Sequence, residues 1–166
     1  MRWVLVDWLP HITVGDGITV SDDAMQEVEK ISKALESTPD NEMLHYVLGI
    51  AYRTKGDKDK AEMCYGKALE LKPDYFDANY ELGTLHFNKG VEWNEKANSL
   101  PANEMNKAKD YDAKATEEFN KAIPYFEKAR QLNDKDKSVL SALKKLYTRT
   151  GQTEKLQEIN DKLKAK

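Results

Sequence analysis

Three features of this 166-residue chain predict an all-α fold of stacked helix pairs. Residues recur at a spacing of 34: Ala34 and Ala68, Pro39 and Pro73, Gly49 and Gly83. Within each unit, apolar residues return every three or four positions, the period of a helix that buries one face. Charged residues make up 33% of the chain, and it is rich in Ala, Glu, Lys and Leu, as expected for exposed helices. A chain of this length holds about three and a half helix-turn-helix units, an α-solenoid, behind a short strand-prone N-terminal segment.

Residues 1–20 differ from all that follows. Arg2 to Leu9 is rich in Trp and Val, and Ile12-Thr13-Val14 and Ile18-Thr19-Val20 flank Gly15-Asp16-Gly17, the pattern of a short hairpin. Pro10, Gly15 and Gly17 oppose a helix there. Residues 21–41 then read as half a repeat. Ser21 or Asp23 is a suitable cap for a helix over 22–37, with Met25, Val28, Ile31 and Leu35 on one apolar face. With the partner helix of that half repeat missing, the N-terminal segment is expected to cover the bare face.

The first full unit spans 42–75. Leu48, Gly49 and Tyr52 lie on its first helix, Gly56 marks the end, and Ala61, Tyr65, Ala68 and Pro73 follow. Gly49, Ala61 and Ala68 allow two helices to approach closely, while Leu48, Tyr52 and Tyr65 fill the seam. The next unit, 76–136, is expected to open at Asp74 as N-cap and carries Leu82, Gly83 and Phe87. Its second-helix residues arrive late, at Ala122, Phe126 and Ala129. Gly90 and Ala122 are 32 apart where Gly56 and Ala61 are 5 apart, which makes an insertion of 27 residues.

The insertion keeps a helical period through Met105, Ala108, Tyr111, Ala115 and Phe119. A helix from near Asn103 to Leu132, about 45 Å long at 1.5 Å per residue, is therefore predicted, with a kink at Pro124 and a turn at Leu100-Pro101-Ala102-Asn103. The last unit, 137–166, has Leu140, Leu143, Tyr147 and Gly151, then Leu156, Ile159 and Leu163. Lys144 and Asn160 stand where earlier units have a small residue and an aromatic, so a polar outer surface is expected.

The run from Glu42 to Pro73 resembles the tetratricopeptide repeat (TPR), at the spacing and residue types of that family, except that His45 stands where Trp is preferred. The long hairpin, with its run Pro124-Tyr125-Phe126-Glu127-Lys128-Ala129, is similar to elongated third-repeat hairpins of bacterial members. The resemblance implies a TPR α-solenoid that binds proteins, with the first helix of each repeat lining a groove. Carried over, the groove residues are Met43, Tyr46, Ile50 and Arg53, then Asp77, Tyr80, Thr84 and Phe87, then Ser138, Ser141, Lys145 and Thr148. Several of these are as readily explained by packing between repeats. Chaperone-binding members hold a C-terminal carboxylate with Lys and Asn at such positions; Tyr46 and Ile50 stand there instead, which argues against that ligand.

Catalytic chemistry finds little support. His11, His45 and His86 show no metal-ligand spacing, Cys64 has no histidine near it in sequence, and Asp57 and Asp59 lack the Gly and Glu of a calcium loop. No metal, cofactor or enzymatic activity is expected. A net charge of −3 gives no basic field, and Lys162, Lys164 and Lys166 suit a helix C-terminus, so nucleic acid is not an expected partner. No stretch approaches the apolar length of a membrane helix. The start lacks a basic leader and a cleavage site, which favours a cytoplasmic protein unless the chain is a fragment of a longer exported one. The expected function is non-catalytic binding of a protein or peptide segment in the groove. The alternative is a self-associating module in which residues 1–20 mediate a homodimer or occupy a groove.

Overall fold

A computed structural model describes residues 20–164. Seven α-helices follow in order: α1 Val20–Ser37, α2 Glu42–Thr54, α3 Lys58–Leu71, α4 Phe76–Asn98, α5 Met105–Leu132, α6 Lys137–Thr150 and α7 Thr153–Lys164, with one 3₁₀ turn at Ala102–Glu104. No strand occurs among the described residues, and no helix there is long and apolar enough to cross a membrane. The predicted strands of the N-terminal segment, and its expected roles as a cover or dimer contact, lie outside the described residues. The exception is Val20, which opens α1 instead of ending a strand. With the helix beginning there, Ser21 and Asp23 fall inside it and not before its start.

Turn chemistry sets three of the helix starts and two of the stops. The Asn41 side chain accepts from the amides of Met43 and Leu44, Asp57 from that of Lys60, and Asp136 from those of Ser138 and Val139. Gly56 and Gly151, at φ of 84° and 71°, supply the left-handed residue that turns the chain after α2 and α6. Helix α4 starts otherwise. Its N-cap is Tyr75, with no side-chain cap bond, and not Asp74, which pairs with Lys128 of α5. Asn79 holds this turn from inside the helix: its buried amide donates to the carbonyls of Pro73 (3.0 Å) and Tyr75 (2.9 Å). These bonds satisfy the loop's carbonyls and fix the turn, while the first-turn amides of α4 have no side-chain cap.

Consecutive helices pack in sequence order, from α1 against α2 to α6 against α7. The pairs share one device, a ring laid on a glycine. A Cβ at Gly49 would lie 2.5 Å from the Tyr65 ring, one at Gly83 would lie 2.9 Å from the Phe126 ring, and one at Gly90 would lie 2.5 Å from the Phe119 ring. Tyr65 is fully buried, and Phe126 and Phe119 nearly so. Gly90 lies two helical turns beyond Gly83, and Phe119 lies two turns before Phe126. The long α4–α5 hairpin therefore extends the ordinary repeat contact outward with the same packing. In the last pair Lys144 replaces the glycine and is exposed, and half-buried Asn160 replaces the ring.

The remaining expected packing residues Leu48, Ala61, Ala68, Leu82, Ala122 and Ala129 are buried, and Tyr52 is half-buried. On α1, Val28, Ile31 and Leu35 pack with Leu48 and Ala51, but Met25 is 54% exposed and drops out of the predicted face. Helix α5 is continuous through Pro124. Pro124 and Asn120, whose carbonyl loses its usual amide donor there, are both on the solvent side, where water can replace the missing bond.

Candidate functional site

The first helices of successive pairs are neighbours: Arg53 of α2 reaches Glu81 of α4 (3.5 Å), and Arg149 of α6 donates to Asn94 of α4 (3.2 Å). On this side the predicted groove residues divide in two. Along α2 and α4 they form an aromatic floor. Tyr46 is half-buried, its ring 5.0 Å from that of Tyr75 and 5.9 Å from that of Tyr65. Tyr80 stacks on Phe76 (6.4 Å) and meets Phe126 edge-on (5.6 Å), and Phe87 lies against Phe119 (5.7 Å). Ile50 packs on the core around Ala61, Tyr65, Leu82 and Leu85. These four residues pack between helices and still keep part of their surface open.

The polar members are more exposed. Met43 and Asp77 stand in solvent at the rim, and Arg53 is 47% exposed. The Thr84 hydroxyl donates to the Tyr80 carbonyl (2.8 Å), so it bonds back onto its own helix rather than reaching outward. On α6, Ser138, Ser141, Lys145 and Thr148 are all exposed, with the Thr148 hydroxyl donating to Lys144 (2.8 Å). Nothing aromatic accompanies them, so the α6 portion is a polar rim.

Periodicity alone missed two residues of this site. Tyr75 comes from the inter-repeat turn, which a helical pattern does not cover, and Glu81 lies one position off the predicted face. Glu81 is largely buried, and burial pushes its carboxyl up; Arg53 opposes the shift and Asp77 adds to it. Burial likewise pushes the Tyr46 hydroxyl up strongly, and those of Tyr65 and Tyr75 up to about 12. The buried Tyr65 hydroxyl has no hydrogen-bond partner among the described residues, and Glu81 and Arg53 are the charged groups that most affect it. These phenols stay neutral at physiological pH and present rings, not charges.

Away from the groove, His86 is buried between carboxylates. Its Nδ1 lies 2.8 Å from Glu118 and its Nε2 3.8 Å from Glu62, and its ring stacks on Tyr125 at 5.8 Å. His45 has its Nε2 2.8 Å from the Pro39 carbonyl, which accounts for a polar ring where an apolar one is usual. Burial pushes the Cys64 thiol up to about 11, so at neutral pH it is not the thiolate a nucleophile requires. An open cleft of about 700 Å³ between α3 and the α4–α5 hairpin is lined by Asp57, Lys58, Asp59, Lys89, Glu92 and Trp93 among others. Lys58 pairs there with Glu92, and Lys89 pairs with Asp59 (3.2 Å) and Glu62 (2.7 Å). Among the described residues no cluster of His, Cys, Asp or Glu is arranged to hold a metal ion.

Residues 43–75, which run from the exposed rim of α2 through α3 to the turn carrying Tyr75, match the family model of the tetratricopeptide repeat. That segment is a tetratricopeptide repeat. No curated protein matches it. TPR repeats generally mediate protein–protein interactions and are generally non-catalytic.

Proposed function

We propose that this protein is a non-catalytic scaffold that holds an extended segment of another protein along the face formed by α2, α4 and α6. The observation that carries the reading is the row of partly open rings, Tyr46, Tyr80 and Phe87, on the first helices, with Arg53 beside it and the polar Ser141, Lys145 and Thr148 at one end. Rings of this kind offer contact area at small entropic cost, and a polar rim allows hydrogen bonds to a partner's backbone. Replacing Tyr46 and Tyr80 together by Ala is expected to reduce partner capture at least tenfold while helicity by circular dichroism is kept. Undiminished capture by the folded variant places the site elsewhere.

A second reading, self-association through residues 1–20, is supported by the hairpin pattern around Gly15-Asp16-Gly17, since unpaired strands pair readily. It predicts concentration-dependent dimers in light scattering that vanish when residues 1–20 are removed. A monomer at all concentrations contradicts it.

A further inference from the structure

Several carboxylates on the α2–α4 side are matched to cations. Lys72 pairs with Glu42 (3.3 Å), Arg53 with Glu81 (3.5 Å) and Lys128 with Asp74. Asp77 is exposed in the first turn of α4, and among the described residues no cation lies within ion-pair distance of it. Its charge is felt by what surrounds it: after burial itself, Asp77 is the next cause holding the Tyr46 and Tyr75 hydroxyls above their ordinary values, and it also raises Glu81. Two of the rings touch. Tyr46 and Tyr75 are 5.0 Å apart, and Tyr80 follows Asp77 by three positions on the same helix face. At the edge of this cluster an internal cation already adopts the arrangement such groups favour. The Lys72 ammonium is 5.2 Å from the centre of the Tyr75 ring while it bonds to Glu42.

We propose that Asp77, with the rings of Tyr46, Tyr75 and Tyr80, forms a subsite for one cationic side chain, a Lys or Arg of the extended partner segment. The proposal rests on the groove reading above and gives it a chemical preference. A ring face attracts an ammonium or guanidinium, and the unmatched carboxylate supplies the counter-charge. An acidic side chain at this point meets Asp77 and Glu81 and is repelled; an apolar one of equal length gains packing only.

The test uses the full chain and a membrane array of acetylated hexapeptide pools. One position is fixed as Lys, Arg, norleucine or Glu, and the other five are mixed. The Lys and Arg pools are expected to retain about fivefold more protein than the norleucine pool, as an exposed cation–ring contact joined to an ion pair implies, with Glu lowest. Asp77→Asn should bring the Lys pool down to the norleucine level, and Asp77→Lys should pass the preference to Glu. Because the chain carries a net −3, Asp110→Asn, an exposed change of the same charge, is the control and should leave the preference intact. Equal retention of Lys and norleucine pools, or a Lys preference that survives Asp77→Asn, overturns the subsite. If retention shows no charge preference yet falls with Tyr46→Ala and Tyr80→Ala, only the subsite is lost. If no pool is retained through those tyrosines, the groove reading falls with it.

Discussion

At the scale of single residues, the ring-on-glycine contacts make the sharpest claims. Alanine is ordinarily the better helix residue by about 1 kcal/mol, so a bare propensity argument favours Gly→Ala at any helical glycine. At Gly49 the new methyl meets the Tyr65 ring at 2.5 Å, and Tyr65 is fully buried with nowhere to move. Overpacking of that kind costs about 1–3 kcal/mol and outweighs the propensity gain. Gly49→Ala should therefore lower stability in urea unfolding by about 1 kcal/mol. Gly66→Ala, in the same repeat with nothing within 4 Å of the added carbon, should raise it by a similar amount. Equal effects at the two glycines contradict the packing account.

Glu118 gives a residue-scale pH dependence. Burial alone raises its carboxyl, but the hydrogen bonds from His86 (2.8 Å) and Lys121 (2.9 Å) outweigh that and hold it below its ordinary value of 4.5. A carboxyl depressed on folding contributes stability above its unfolded pKa and loses it as pH falls through the folded one. Glu127, held down by Lys155 and Tyr147, acts with the same sign. The melting temperature should therefore fall on acidification below about pH 4.5. Glu118→Gln should make that fall shallower; an unchanged slope removes Glu118 from the account.

At the scale of elements, helix positions were largely legible because a buried face leaves a period and turns leave Asn, Asp and Gly. The start of α4 differs from the pattern, which offers Asp74 as a cap and cannot show that its carboxylate is drawn to Lys128 while the Asn79 amide bonds the Pro73 and Tyr75 carbonyls. Met25 was misplaced for a similar reason: period assigns it to the apolar stripe, but the stripe is covered by α2 only from Val28 onward. Pro124 illustrates what sequence can price but not locate. Its ring removes an amide donor wherever it sits, and only the structure puts the loss on the solvent side. Pro124→Ala should restore the bond to Asn120 and raise stability by about 1–2 kcal/mol, read from thermal unfolding. A loss of stability would mean that the proline is required by packing.

The α4–α5 extension is itself an element with a polar clamp to the next repeat. Arg149 of α6 donates to Asn94 and lies 5.1 Å from the Phe119 ring centre, while Asn94 donates to Asp112 across the hairpin (3.2 Å). Arg149→Ala should cost about 1 kcal/mol overall and speed amide exchange in residues 91–112 more than in α2 or α3. Uniform acceleration throughout the chain would show that the clamp is not local.

At the scale of the whole molecule, the stack of helix pairs was legible from the 34-residue spacing, and the long hairpin from the interruption of it. The candidate site was legible by half. Tyr46, Arg53, Asp77 and Tyr80 lie on helices whose outward positions can be counted, whereas Tyr75 and Glu81 join them only because one turn and one adjacent helix fold against α2. A one-dimensional period cannot report such a meeting. The central claim is that partners are held on the first-helix side of the stack. Its most direct test places a photo-crosslinking benzoylphenylalanine at Met43, 44% exposed on α2, or at Met63, 73% exposed on α3. The account predicts that partner adducts form from position 43 and are absent from position 63. Adducts from position 63 alone would put the binding face on the second helices and contradict it.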